Sequence, residues 1–187
     1  MMSKSILYRK AQISDLSGIV KVNVDTWKTA YKGIISEKYL QSISYEDKKA
    51  NWRQRLEDPT HGAIIHVAEK DSEEIVGFIL ATLQKFDPIA TIPQAKSFTG
   101  QLGAIYVLKN YQGNKIGTEL VKLVVKHLIE NKIHDMIVWV LKESPYRRFY
   151  EKLGGKYLGE QFLEIGGRKY CEIAYGWENI KVILSNF

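Results

Sequence analysis

Gln112, Gly113, Asn114, Lys115, Ile116, Gly117 and Thr118 crowd two glycines and a lysine just ahead of an amphipathic run. In that run Leu120, Leu123, Val124, His127 and Leu128 recur at helical spacing. A helix N-terminus carries unpaired N–H groups and a partial positive charge. Glycines there admit a ligand to the backbone, so the chemistry suggested is anion binding, best of a phosphate or pyrophosphate. The same glycines would equally serve a tight strand-to-helix turn. Neither Gly-x-x-x-x-Gly-Lys-Ser/Thr nor Gly-x-Gly-x-x-Gly occurs here, which argues against a P-loop and a dinucleotide fold. A second cluster, "VDTWKTAYKGI" at 24–34, sets Trp27 and Tyr31 on one apolar helix side with Asp25 and Thr26 beside them. Core packing plus a helix end explains it.

These residues need elements to hold them. "SILYRKA" (5–11) reads as a strand. Ser14 is placed to cap a helix that Gly33 ends, and Ser44 with Asp47 to open a second helix through "YEDKKANWRQRLED". Pro59 and Gly62 close that region. "AIIHVAEK" and "EIVGFILATLQ" flank Asp71-Ser72-Glu73 as a hairpin, and a loop with Pro88 and Pro93 follows. "GQLGAIYVL", the glycine loop and its helix, and "DMIVWVL" form a strand-helix-strand crossover. "YRRFYEKL" is a short helix stopped by Gly154-Gly155. "KYLGEQFLEI" and "RKYCEIAYGW" make a hairpin around Gly166-Gly167. The order predicts a mixed sheet with helices on its faces.

The 187 residues suit one domain, 1–187, able to bury roughly 70% of its unfolded surface without a metal or disulfide. Cys171 is the only cysteine, so a reducing, cytoplasmic setting is expected. "VGFILATL" falls far short of the ~18 residues of a membrane span, and no membrane partner is expected. The 27 basic residues give a net charge of +6 but never cluster, which argues against nucleic acid. No metal-ligand spacing occurs, and no metal is expected.

"GAIYVLKNYQGNKIGTELVKLVVKHL" resembles the acetyl-CoA-binding segment of the GNAT superfamily of N-acetyltransferases. The family pattern Gln/Arg-x-x-Gly-x-Gly/Ala reads here as Gln112 to Gly117. "SPYRRFYEKLGG" is similar to the family's Asn-x-Ala-x-x-Phe-Tyr-x-x-x-Gly, and the element order matches over nearly the whole chain. The resemblance implies an α/β (α+β) fold: a mixed, mostly antiparallel sheet of about seven strands, splayed in the middle. It implies acetyl-CoA as cosubstrate, pyrophosphate on the backbone of Gly113 to Thr118, and pantetheine beside Ile105, Tyr106 and Val107. Ser144 stands where the second motif has Asn, Tyr146 where it has Ala, Lys115 where glycine is usual, and Gln101 where Glu is common.

Acetyl transfer to an amine requires a neutral amine, a polarised thioester and a proton for the leaving thiolate. The resemblance makes Tyr150 the proton donor, since a phenol (pKa about 10) can protonate a thiolate (thiol pKa about 8.5). A core aromatic beside Phe149 is the other explanation. Gln101 cannot take a proton; Glu143, His66, Asp25 or water remain as bases. The resemblance also puts Asp25, Trp27 and Tyr31 around the acceptor. The expected protein is a bacterial acetyl-CoA-dependent N-acetyltransferase with an amine acceptor, a homodimer being compatible. The alternative is an acyl-CoA-binding module without turnover. Because its loop enters a helix, Lys115 is expected at negative φ.

Overall fold

The computed structural model describes residues 5–58, 62–70, 74–82 and 92–185. The Asp71–Glu73 turn, Pro59 and Pro88 lie outside them. Seven strands form one sheet: β1 (Ile6–Lys10), β2 (Ala63–Lys70), β3 (Glu74–Thr82), β4 (Gln101–Val107), β5 (Met136–Leu141), β6 (Lys156–Ile165) and β7 (Arg168–Trp177). The spatial order is β1-β2-β3-β4-β5-β7-β6, antiparallel everywhere except between β4 and β5. Central β3 is buried from Ile75 to Ala81, so it reads as a continuous apolar run rather than an alternation.

On one face lie α1 (Leu16–Ala30), α2 (Glu37–Ser42) and α3 (Tyr45–Glu57). α1 buries Leu16, Ile19, Val20, Val22 and Val24 with Phe78 and Leu80 of β3. α3 is largely polar and buries only Trp52, whose ring meets Phe78 edge-on at 4.8 Å. The opposite face holds α4 (Ile116–Glu130), α5 (Arg147–Lys152) and α6 (Lys181–Ser185). Ile116, Leu120, Val121, Val124, Val125 and Leu128 of α4 form the buried stripe there. The predicted strands, both hairpins and the crossover are present. Gly166 and Gly167, at φ +58° and +77°, make the paired left-handed turn that a two-residue hairpin favours.

Three local expectations are corrected. Ser14 does not cap α1. A short 3₁₀ turn, Ile13–Asp15, precedes it, and the Asp15 carboxylate accepts from Gln12 N–H at 2.7 Å. Arg9 also holds that carboxylate through two bonds of 2.7 and 2.8 Å, so Asp15 caps the 3₁₀ turn and makes no side-chain bond to the first turn of α1. The first helix ends at Ala30, before Gly33, and Ser36 opens α2, an element absent from the sequence reading, by accepting from Tyr39 N–H at 3.3 Å. Lys115 lies at φ +61°, not at negative φ, as the residue that caps α4. The chain must reverse from the loop into the helix axis, and a left-handed residue makes that turn.

The parallel pair positions the site. β4 and β5 share only two registered pairs, Gln101 with Ile137 and Leu102 with Val138. Their closed end is clamped by Asp135, whose Oδ1 accepts from Thr99 N–H, from the Thr99 hydroxyl at 2.8 Å and from Gly100 N–H at 3.3 Å. A Cβ on Gly100 would stand 2.7 Å from Asp135 O, so the strands approach this closely only because Gly100 lacks one. Just beyond, Gly103 is the extra residue of a bulge against β3, where Leu80 pairs with Ala104 but Ala81 with Leu102. The sheet is splayed past that point.

Candidate active site

A cavity of about 420 Å³ occupies the splay. Ile105, Tyr106 and Val107 of β4 form one wall and Val140 of β5 another. Gln112, Gly113, Lys115, Ile116, Gly117 and Thr118 close one end, where α4 begins. Ser144, Phe149 and Tyr150 line the α5 side, and Thr26, Ala30 and Tyr31 the α1 side.

The glycine loop is built by its own side chains. Gln112 Nε2 donates to Val107 O at 3.0 Å, and Gln112 Oε1 accepts from the Tyr146 hydroxyl at 3.3 Å. Asn114 Nδ2 donates to the carbonyls of Tyr111 and Gln112 at 3.2 and 3.3 Å; Asn114 does not line the cavity. Gly113 (φ +80°) and Lys115 (φ +61°) flank Asn114 in the left-handed region. Gly117 is helical, and its missing Cβ would sit 3.4 Å from Phe149 Cζ and 3.7 Å from Ile105 Cδ1. Its role is room at the cavity wall, whereas Gly113 supplies backbone freedom.

Tyr150 is buried, and burial foremost, with Tyr31 facing it, pushes its phenol far above the usual value. It therefore stays protonated at any ordinary pH and can donate but not abstract a proton. Ser144 is buried, its Oγ accepting from Tyr146 N–H at 3.3 Å. Tyr111 and Tyr146, which the sequence reading gave no binding role, also line the cavity. Tyr146 occupies the position where the family motif has a small residue, and that oversize was the available signal.

Trp27, Tyr106 and Tyr31 form a connected aromatic row. Trp27 Nε1 donates to Tyr106 Oη at 2.9 Å, and the Trp27 and Tyr31 rings meet edge-on at 4.9 Å. Trp27 belongs to a second cavity, of about 510 Å³, on the α1–α3 side of β3 and β4. Tyr106 lines both cavities. Gln101, Asn23, Lys48 and Arg55 lie around the second one. Asp25 lines neither. Its carboxylate is engaged by Lys21 Nζ at 2.7 Å and by the Tyr45 hydroxyl at 2.6 Å. Burial alone would raise Asp25, but those two bonds outweigh it and hold the group below the usual carboxylate range. His66 and Glu143 are also absent from both linings, and among the described residues no carboxylate or imidazole lines either cavity.

A mixed sheet parted beside a glycine-bearing helix start defines an acyltransferase-like class of fold and site. Residues 25–155 match the Acetyltransferase (GNAT) family, and the chain belongs to it. An uncharacterized N-acetyltransferase of Bacillus subtilis, YuaI, is 29% identical over 178 residues, 95% of this chain and 96% of that one. Among solved structures, the PaiA N-acetyltransferase of Thermoplasma acidophilum, in complex with coenzyme A, has a TM-score of 0.66 at 22% identity. It spans 92% of this chain and 99% of its own. A GCN5-related N-acetyltransferase from Rhodopseudomonas palustris reaches 0.69 at 17% identity, over 94% of this chain and 98% of its own.

Proposed function

We propose that this chain moves an acetyl group from acetyl-CoA directly onto a primary amine of a small molecule or peptide. The observation that carries the proposal is the splay: a cavity between β4 and β5 that runs from Tyr150 to the start of α4. The two left-handed residues around Asn114 alternate the backbone's handedness, the geometry in which N–H groups converge on an anion. With the unpaired N–H groups at the start of α4, the segment Gly113–Thr118 suits a pyrophosphate. Ile105, Tyr106 and Val107, which have no β5 partner, offer backbone groups to an extended pantetheine arm.

In the transfer, the amine nitrogen's lone pair bonds to the thioester carbonyl carbon and the carbon–sulfur bond breaks. Tyr150 gives its proton to the departing sulfur and regains one from solvent. The proton lost by the amine leaves through water, consistent with cavity walls free of carboxylate and imidazole among the described residues.

Calorimetry with CoA, together with thiol release from acetyl-CoA across an amine panel, tests this. Gly117→Ala should bind CoA nearly as well as the parent, since its Cβ would meet only ordinary contacts. Gly117→Val puts further methyls against the Phe149–Ile105 wall and should weaken CoA at least tenfold. Unchanged affinity in a folded Gly117→Val protein refutes the site, and CoA binding without thiol release from any amine refutes the reaction.

A further inference from the structure

We propose that the acceptor is a small amine that also carries a carboxylate, which Lys48 and Arg55 receive in the second cavity. This identifies the acceptor class of the transferase proposed above and rests on that function. The lining of this cavity is cationic and polar. Lys48 is half-buried with Nζ 5.4 Å from the Trp27 ring centroid, and Arg55 stands exposed at the rim, its Cζ 5.7 Å from the Trp52 centroid. Both contacts are to aromatic faces. Among the described residues neither Lys48 nor Arg55 pairs with a carboxylate. Nor does any described Asp or Glu line the cavity. Two cations without a carboxylate partner at a concave site raise the local concentration of anions.

Two further features fit an amine at the other end of such an acceptor. Asn23 is buried, and its Oδ1 has no hydrogen-bond partner. A buried oxygen left unpaired is costly, and an amine N–H would satisfy it. Neighbouring cations also disfavour the ammonium form and lower the amine's pKa. A cavity that supplies no base thereby increases the fraction of neutral nucleophile. Tyr106, common to both cavities, places this acceptor space next to the splay.

Matched triples test the class: alanine, alaninamide and ethylamine; phenylalanine, phenylalaninamide and phenethylamine. Each is offered with acetyl-CoA, and kcat/KM from thiol release is compared per neutral amine. At least one acid should exceed its amide and its decarboxylated amine by tenfold or more, and the margin should shrink with salt. Lys48→Gln with Arg55→Gln should bring that ratio to within about threefold of unity. Neutral amines used as well as the acids, or a ratio unmoved by the double substitution, overturns the proposal while leaving the transferase function standing. Indole fluorescence of the CoA-loaded protein gives a readout without turnover, because Trp27 and Trp52 line the cavity. The acid should give a saturable change that its amide does not. Acid binding without thiol release from any amine keeps the carboxylate site and refutes the transferase. Neither signal with any compound refutes both.

Discussion

Lys115 carries the left-handed turn into α4 with a side chain that disfavours it. A non-glycine residue there costs roughly 1–2 kcal/mol. Lys115→Gly should therefore raise the unfolding free energy by about 1 kcal/mol, read from urea denaturation. The same change removes a charge beside the proposed diphosphate site, so CoA affinity should change by no more than about fivefold, the equivalent of 1 kcal/mol. A hundredfold loss would make the ammonium a principal ligand. Tyr150 differs in that its ring packs and its hydroxyl is the proposed proton donor. Tyr150→Phe keeps the ring and removes the proton, so kcat should drop about a hundredfold, the low end of general-acid effects, with CoA affinity nearly unchanged. Parental kcat would leave Tyr150 a packing residue. At this scale the sequence was only partly legible. Tyr31 stood out by its helical spacing from Trp27 and Tyr150 only through the family resemblance, while nothing local pointed to Tyr111, whose place in the lining depends on where distant elements meet.

Elements were easier to read wherever the pattern was local. Leu120, Val124 and Leu128 announce α4, and Gly166-Gly167 announces its turn, because period and turn chemistry are written in adjacent residues. α2 was missed because six residues with one buried side chain, Leu40, show no period. The cap at Ser14 failed because Ser14 lies inside the 3₁₀ turn Ile13–Asp15, which Asp15, bound to Gln12 N–H and to Arg9 of another element, holds in place. The end of α4 was also outside local reading. Ile133 N–H bonds Leu128 O and Lys132 N–H bonds Ile129 O, both at 2.9 Å, with Lys132 at φ +62°. This is a Schellman ending in which lysine fills the place that glycine prefers. Lys132→Gly should stabilise the protein by about 1 kcal/mol without altering CoA binding. A lower denaturation midpoint would show that the lysine side chain contributes contacts that outweigh its strain.

For the whole molecule, the packing of α4 on β2 brings His66 to within 6.1 Å of His127, ring to ring. Burial foremost, then His127 and Lys10, disfavour a proton on His66 in the folded protein, and its Nδ1 has no partner. Above the unfolded value of about 6.5 neither state holds that proton, and stability is complete. As pH falls from there, the unfolded chain gains the proton first. Stability is lost down through the depressed folded value and then levels off. Denaturation at pH 7.5 and 5.5 should show this loss, and His66→Gln should reduce it; an equal loss in the variant would assign it to other groups. The Asp135 clamp and the Gly103 bulge have a different consequence. They leave β4 an edge strand inside the protein, with its far half unladdered on one side. Edge strands usually recruit partners from outside. Here the open edge faces inward and is flanked by Ile105 and Val107, so under the proposed function an extended guest would complete the sheet as a missing rung. Such a guest would link the β1–β4 half to the β5–β7–β6 half, making the molecule's resistance to unfolding depend on guest concentration, by about 2.7 kcal/mol at one hundred times its dissociation constant.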